Sequence, residues 1–316
     1  MLSEAQREAV LTYCKIAAAS GALLSLKDLV ELLGIGTTEE GLDESISSDE
    51  SLASKVLVES GQVVLRSPGS DRTLARKAIE EADRRRRRAI ANVEAAKVFA
   101  RLFSKDAVFV AVAGTNSYLS AAESDDIDFY CITKTDGMWE FMLKSLILSR
   151  LCALTRKDTP PFCFSFVMDE TRAKEEVSQS KGALYARDTL TAIVISGGGA
   201  YHRILENASW MRSHFPTVYD RRLGEEQVEG PHPHARRGSR ALNMWLFFTL
   251  GSYVHLRAWV MNRKLAKKGK PDAIFRAWIE PGRLEYAARR YLELGKMYNA
   301  LEKLQATEMR SKSSGR

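Results

Sequence analysis

The stretch that most constrains this chain runs from Val108 to Thr133, VFVAVAGTNSYLSAAESDDIDFYCIT. An apolar run, Val108 to Ala113, has the length of a buried strand and stops at Gly114-Thr115, where small residues let backbone amides approach a ligand closely. A short polar and alanine-rich segment leads to Asp126-Ile127-Asp128, and the β-prone Phe129 to Ile132 follows, so the two carboxylates open a second strand. A strand's period of two puts Asp126 and Asp128 on one face and Asp125 on the other. Two carboxylates held that close repel one another and call for a cation between them, and hard divalent ions such as Mg²⁺ prefer such an oxygen pair.

Strand, Gly-Ser/Thr turn, short helix and Asp-x-Asp on a neighbouring strand resembles the core of the nucleotidyltransferase superfamily typified by DNA polymerase beta. The likeness extends to a prokaryotic group with a winged-helix-like segment before the core and a helical region after it. In that group an N-x-W-like segment ends in Phe-Pro, and Asn207-Ala208-Ser209-Trp210 with Phe215-Pro216 is similar here. The resemblance implies an α/β (α+β) core with a small mixed sheet. It implies Mg²⁺ or Mn²⁺ at Asp126 and Asp128, with an NTP held by Gly114, Thr115, Asn116 and Ser117. It further implies transfer of a nucleoside monophosphate to an acceptor, with RNA, a protein side chain and a small molecule all open. Catalytic members carry a third carboxylate on the next strand. Here Phe162 to Met168 offers Cys163 and Ser165 instead, and Asp169 and Glu170 just beyond leave two readings, a substitute metal ligand, with Asp169 the candidate, or a solvated turn at the strand end. The missing acid keeps a second expectation open, a catalytically inactive nucleotide-sensing or regulatory protein on the same fold.

A chain of 316 residues predicts several units. The boundaries expected are a winged-helix-like domain over 1–69, a connecting helix over 70–105, the core over 106–200, a helical C-terminal domain over 201–310 and a disordered tail over 311–316. In the first unit Ser25 caps a helix from Leu26 to Leu33 that Gly34 ends, and Lys55 to Arg66 reads as a hairpin turning at Gly61-Gln62. The segment placed as a recognition helix, Thr38 to Leu52, carries six acids and no lysine or arginine. Phosphates would repel it, so duplex DNA is an unexpected partner and a structural or protein-binding role is expected.

The net charge of +7 favours acidic partners. Arg84 to Arg88 point all round their helix, which leaves two readings, a solvated connector paired with Glu80, Glu81 and Asp83 or a phosphate contact. Arg236-Arg237, Arg240, Arg263 and the set Lys264, Lys267 and Lys268 lie in the region where the resemblance places the acceptor, and the three lysines are the residues expected to bind it. Cys14, Cys131, Cys152 and Cys163 form no CxxC pair, and buried thiols in a reducing cytoplasm are expected. Ala241 to Met261 nearly reaches membrane-spanning length, yet Asn243, Ser252, His255 and Arg257 interrupt it, so a buried helix is expected and no membrane. Trp245, Trp259 and Trp278 are expected in that helical core. Gly197 to Gly199 read as a helix stop and hinge, and His232-Pro233-His234 as a loop on the substrate side.

Overall fold

In the computed structural model, residues 2–34, 36–66, 72–155, 159–225 and 237–314 are described. The loop with His232 and His234 lies outside them.

The chain opens with α1 (Glu4–Ala19), β1 (Leu24–Ser25), α2 (Leu26–Leu33), α3 (Glu39–Ser48), α4 (Glu50–Ala53), β2 (Val56–Glu59) and β3 (Gln62–Leu65). The local signals act as expected. Ser25 and Asp28 form a reciprocal capping box at the start of α2, and Gly34 ends it with φ +60°. The hairpin turns at Ser60-Gly61, one residue earlier than expected, and both residues sit at positive φ as a two-residue turn requires. Asp49 interrupts the acidic segment, ending α3 and capping α4 through its side chain. The three strands lie in the order β1-β3-β2. Leu29, Leu42, Ile46 and Leu52 fill the space behind them.

α5 (Arg72–Ala100) leads to the second sheet, whose first strands are β4 (Ala107–Ala113) and β5 (Ile127–Thr133), joined through α6 (Gly114–Ser117). Then come α7 (Met138–Thr155), β6 (Phe162–Asp169), α8 (Glu170–Ser178), α9 (Ala183–Thr191) and β7 (Ile193–Ser196). α10 (Gly198–Asn207), α11 (Pro216–Gly224), α12 (Arg240–Leu246) and α13 (Ser252–Lys267) precede β8 (Phe275–Glu280), β9 (Arg283–Ala288) and α14 (Arg289–Ser314). Six strands pair in the order β7-β4-β5-β6-β9-β8, with β5 and β6 parallel and the other neighbours antiparallel. The result is a mixed α/β architecture. One apolar layer, with Phe103, Phe129 and Trp139, lies on one face of the sheet, and Phe109, Tyr130 and Tyr201 belong to the other.

Four expectations change. The region 201–310 is not helical throughout, because β8 and β9 arise within it and extend the sheet that residue 200 was expected to close. The tail is not wholly irregular, since α14 continues to Ser314. Trp245 and Trp259 are not core residues; they are 62% and 52% exposed, and Trp278 sits on β8 under the guanidinium of Arg276. The helix expected to be buried, Ala241 to Met261, instead keeps only one stripe inside, with Asn243, Leu246, Val254 and Ala258, and a π-helical turn at Phe247–Gly251 joins its two halves. No described helix is long and apolar enough to cross a membrane.

α14 packs back on α9 through Tyr291, whose hydroxyl donates to the Asp188 carboxylate. Burial pushes Asp188 up to about 7 against the pull of that bond. A carboxyl raised in the folded state contributes stability that is complete below about pH 4 and is lost as the pH rises through about 7. Asp188→Asn is therefore expected to remove that loss, making the variant more stable than the parent at pH 8 by about 2 kcal/mol but not at pH 4, since solvent reaches part of the residue. Urea melts at the two pH values check the sign.

Candidate functional site

The site begins where β4 ends. Gly114 has φ +65°, and a Cβ there would stand 2.7 Å from Asp128 Oδ2, so only glycine lets the turn and the carboxylate share this space. Ala113 pairs with Asp128 across the β4–β5 ladder, which brings the turn level with the start of β5. Asp126 and Asp128 lie on one face, as the period of two requires, while Ile127 points into the opposite apolar layer and is fully buried.

β6 runs parallel to β5 and pairs Cys163 with Asp128. A register shift between Asp128 and Tyr130 sets two β6 residues, Phe164 and Ser165, against one on β5, and Ser165 donates a hydrogen bond to Asp128. Ligand atoms of Asp126, Asp128 and Cys163 all fall within 4.8 Å of one another. Burial first, then the Asp126 charge, pushes Asp128 up to about 7. Asp126 is also raised, by burial. Burial, reinforced by both carboxylates, holds the Cys163 thiol well above its usual range, so it stays protonated and donates to them. The donor set thus fits a hard divalent ion through the two carboxylates, whose mutual repulsion a cation would relieve, while the neutral thiol adds no charge to the site.

Three sequence expectations resolve differently from one another. Asp169 does not reach the pair. It stands opposite Thr133, six residues further along β6 than Cys163 and so about 20 Å away, where its side chain accepts from Arg172 N and caps α8. Asn116 is not open to a nucleotide either. It is fully buried, accepts from Asn92 Nδ2 at 2.8 Å and donates to the Asp126 carbonyl at 2.8 Å. Gly114, Thr115 and Ser117 remain beside the pair, with Ser117 Oγ donating to the Gly114 carbonyl at 2.9 Å.

The Asn92–Asn116–Asp126 chain escaped sequence reading. Its trace is visible in hindsight as one polar side chain on the buried α5 stripe of Ala89, Val93, Ala96 and Ala100, since a lone amide on such a face must find a partner. Asn92→Ala leaves Asn116 unsatisfied in the interior and is expected to lower stability by about 1–3 kcal/mol, read from a denaturant melt, with a smaller cost if both asparagines are replaced together.

The arginine run follows the connector reading in part. Arg84 and Arg85 pair with Glu81. Arg88 instead donates to the Ala121 carbonyl in the loop between the turn and β5. The exposed Lys264, Lys267 and Lys268 lie at the end of α13. Asn262 clasps the backbone of Phe275 there by two hydrogen bonds. Phe275 pairs with Ala288, at the end of the sheet where Cys163 and Asp128 lie, three strand spacings or about 14 Å to the side of Asp128. Burial raises the Tyr286 hydroxyl above its usual range at that end, and the charge of Arg257 opposes the rise.

Comparison with protein-family models, curated proteins and solved structures finds no match to this chain.

Proposed function

We propose that this chain is a divalent-metal-dependent nucleotidyltransferase that moves a nucleoside monophosphate from an NTP to an acceptor and releases pyrophosphate. The observation that carries the reading is the placing of Asp126 and Asp128 on one strand face against a glycine turn that has room for no side chain. Asp126 and Asp128 would hold Mg²⁺ or Mn²⁺, and the ion would supply charge neutralisation at the α-phosphorus. The amides at the start of the Gly114–Ser117 turn, unsatisfied within so short a helix, offer donors to phosphate oxygens. Asn116 keeps the carboxylates in register through the Asp126 carbonyl rather than by touching substrate.

The order helix, strand, three helices (the last a single turn) and hairpin at the N-terminus supports a winged-helix-like unit, and the acidic α3 supports a protein-contact role for it rather than duplex DNA binding. The lysines at the end of α13 support an anionic acceptor, with RNA the first to test, and the setting proposed is cytoplasmic. Cys163 in place of a third carboxylate favours one other reading, a regulator that binds nucleotide without transferring it. Incubation with labelled NTPs, Mg²⁺ or Mn²⁺ and total cellular RNA decides between them. Label on RNA, protein or a metabolite supports transfer, and saturable binding with no label in any fraction sinks it.

A further inference from the structure

The α12–α13 helix is apolar on two faces. Its inner face joins the core through Leu246 and Val254. Its outer face carries Leu242, Trp245, Phe248, Leu256 and Trp259, all exposed, with Phe248 at 65% and Leu256 at 58%. A helix apolar all round is normally enclosed, whereas this one lies at the surface. Phe248 stands on the π-helical turn, an irregularity that gathers at functional sites. The adjoining α7 adds the exposed Ile147, Leu151 and Leu154. Arg150 of α7 donates to the Tyr253 hydroxyl of α13 and so ties the two exposed faces together.

Charge says what this surface can meet. From Gly238 to Pro271 the sequence has no aspartate or glutamate and seven cations, and the remaining 40 cations balance the chain's 40 acids. The whole net charge of +7 therefore resides in this one segment. None of the seven has a carboxylate partner among the described residues. They bracket the apolar stripe, with Arg240 before Leu242, Arg257 beside Leu256, and Arg263, Lys264, Lys267 and Lys268 past Trp259. The Arg263 guanidinium lies 4.5 Å over the Trp259 ring. A second copy of the chain does not fit, because a two-fold contact would set this cationic surface against itself. Single-stranded RNA would use the aromatic rings and the cations but would leave the leucines and Ile147 uncovered.

We propose that this surface docks on an anionic lipid bilayer, with α12–α13 lying in the plane of the interface. Aliphatic and aromatic side chains on one face, tryptophans near both ends of the stripe and cations beside them form the pattern of a helix held at a membrane surface. The stripe from Leu242 to Trp259 is about 25 Å long. Leu242, Phe248 and Leu256 would enter the acyl boundary, while Trp245 and Trp259 would sit at headgroup level. Arg240, Arg257 and Arg263 would take the lipid phosphates. No described helix is long and apolar enough to cross the bilayer, so the contact is with one leaflet.

Flotation of the full chain with two sets of vesicles tests this, one of phosphatidylcholine alone and one with about 30% phosphatidylglycerol added. The chain is expected to float with the anionic set and to bind the neutral set about tenfold or more weakly, with the difference shrinking in about 0.5 M salt. Trp245→Gln with Phe248→Gln should weaken binding to the anionic set by about tenfold or more, and Arg257→Gln with Arg263→Gln by about as much. The Asp126→Asn, Asp128→Asn double variant should float as the parent does, so the nucleotidyltransferase reading can fail separately. If the surface variants do not fold, tryptophan fluorescence of the parent on anionic vesicles with brominated acyl chains carries the test, and quenching is expected. No binding to the anionic set, equal binding to both sets, unchanged affinity in the folded surface variants, or unquenched fluorescence each overturns the proposal. So does loss of oligouridylate binding in the aromatic variant with vesicle binding intact, which would make the surface a base-stacking platform.

Discussion

On the proposed function, Asp128→Asn is expected to cut nucleotidyl transfer by about a thousandfold or more, because it removes one of the two charges that would hold the ion opposite the charge developing on the transferred nucleotidyl group. The same substitution should not unfold the protein. Asp128 sits in a place that already disfavours its ionised form, through burial and then the Asp126 charge, and an amide of equal size keeps an oxygen for the Ser165 hydroxyl. The variant should therefore melt no lower than the parent at pH 8 while losing Mg²⁺-dependent nucleotide affinity. Asp126→Asn is expected to act in the same direction. If both folded variants keep the parental metal-dependent affinity, these residues are not the site.

The second large effect is expected at Gly114. Alanine there must hold φ +65°, at about 1–2 kcal/mol, and its Cβ must also displace the Asp128 carboxylate that stands 2.7 Å away. Gly34 provides the control. It ends α2 at φ +60° with nothing within 4 Å of its would-be Cβ, so Gly34→Ala carries the backbone strain without the collision. Both variants should lose a few degrees of melting temperature, about 2–4 °C per kcal/mol for a chain of this size. Only Gly114→Ala should also lose metal-dependent nucleotide binding, by about a hundredfold if Asp128 moves by an ångström. Equal binding by the two variants would mean that the carboxylate yields without cost and that the tight turn has no part in the site.

Exposure of the tryptophans bears on how the C-terminal region meets its surroundings. Trp245, Phe248, Leu256 and Trp259 on the α12–α13 helix are exposed, as are Leu143, Ile147, Leu151 and Leu154 on the adjoining α7. Arg150 joins the two helices through Tyr253.

Elements whose signals lie within a few residues were open to reading from the chain itself. The serine cap and glycine stop of α2, the hairpin β2–β3, the long α5 and the strand–turn–strand passage through Gly114 to Asp128 all rest on local steric and hydrogen-bonding rules, which distant residues do not alter. The common face of Asp126 and Asp128 follows from the strand period alone. What depends on pairing between distant segments was decided only by tertiary structure. Cys163 meets the aspartates, and Asp169 does not, because β6 lies parallel to β5 in one particular register. β9 takes its place in the sheet by pairing with β6, more than 100 residues earlier, whose open edge it covers, and β8 follows by pairing with β9. Asn116 faces Asn92 rather than a ligand because α5 packs across the turn. A tryptophan's hydrophobicity is a property of its side chain, but whether it is covered depends on which helix face meets the core, and that placed Trp139 at 0% exposure and left Trp245 outside.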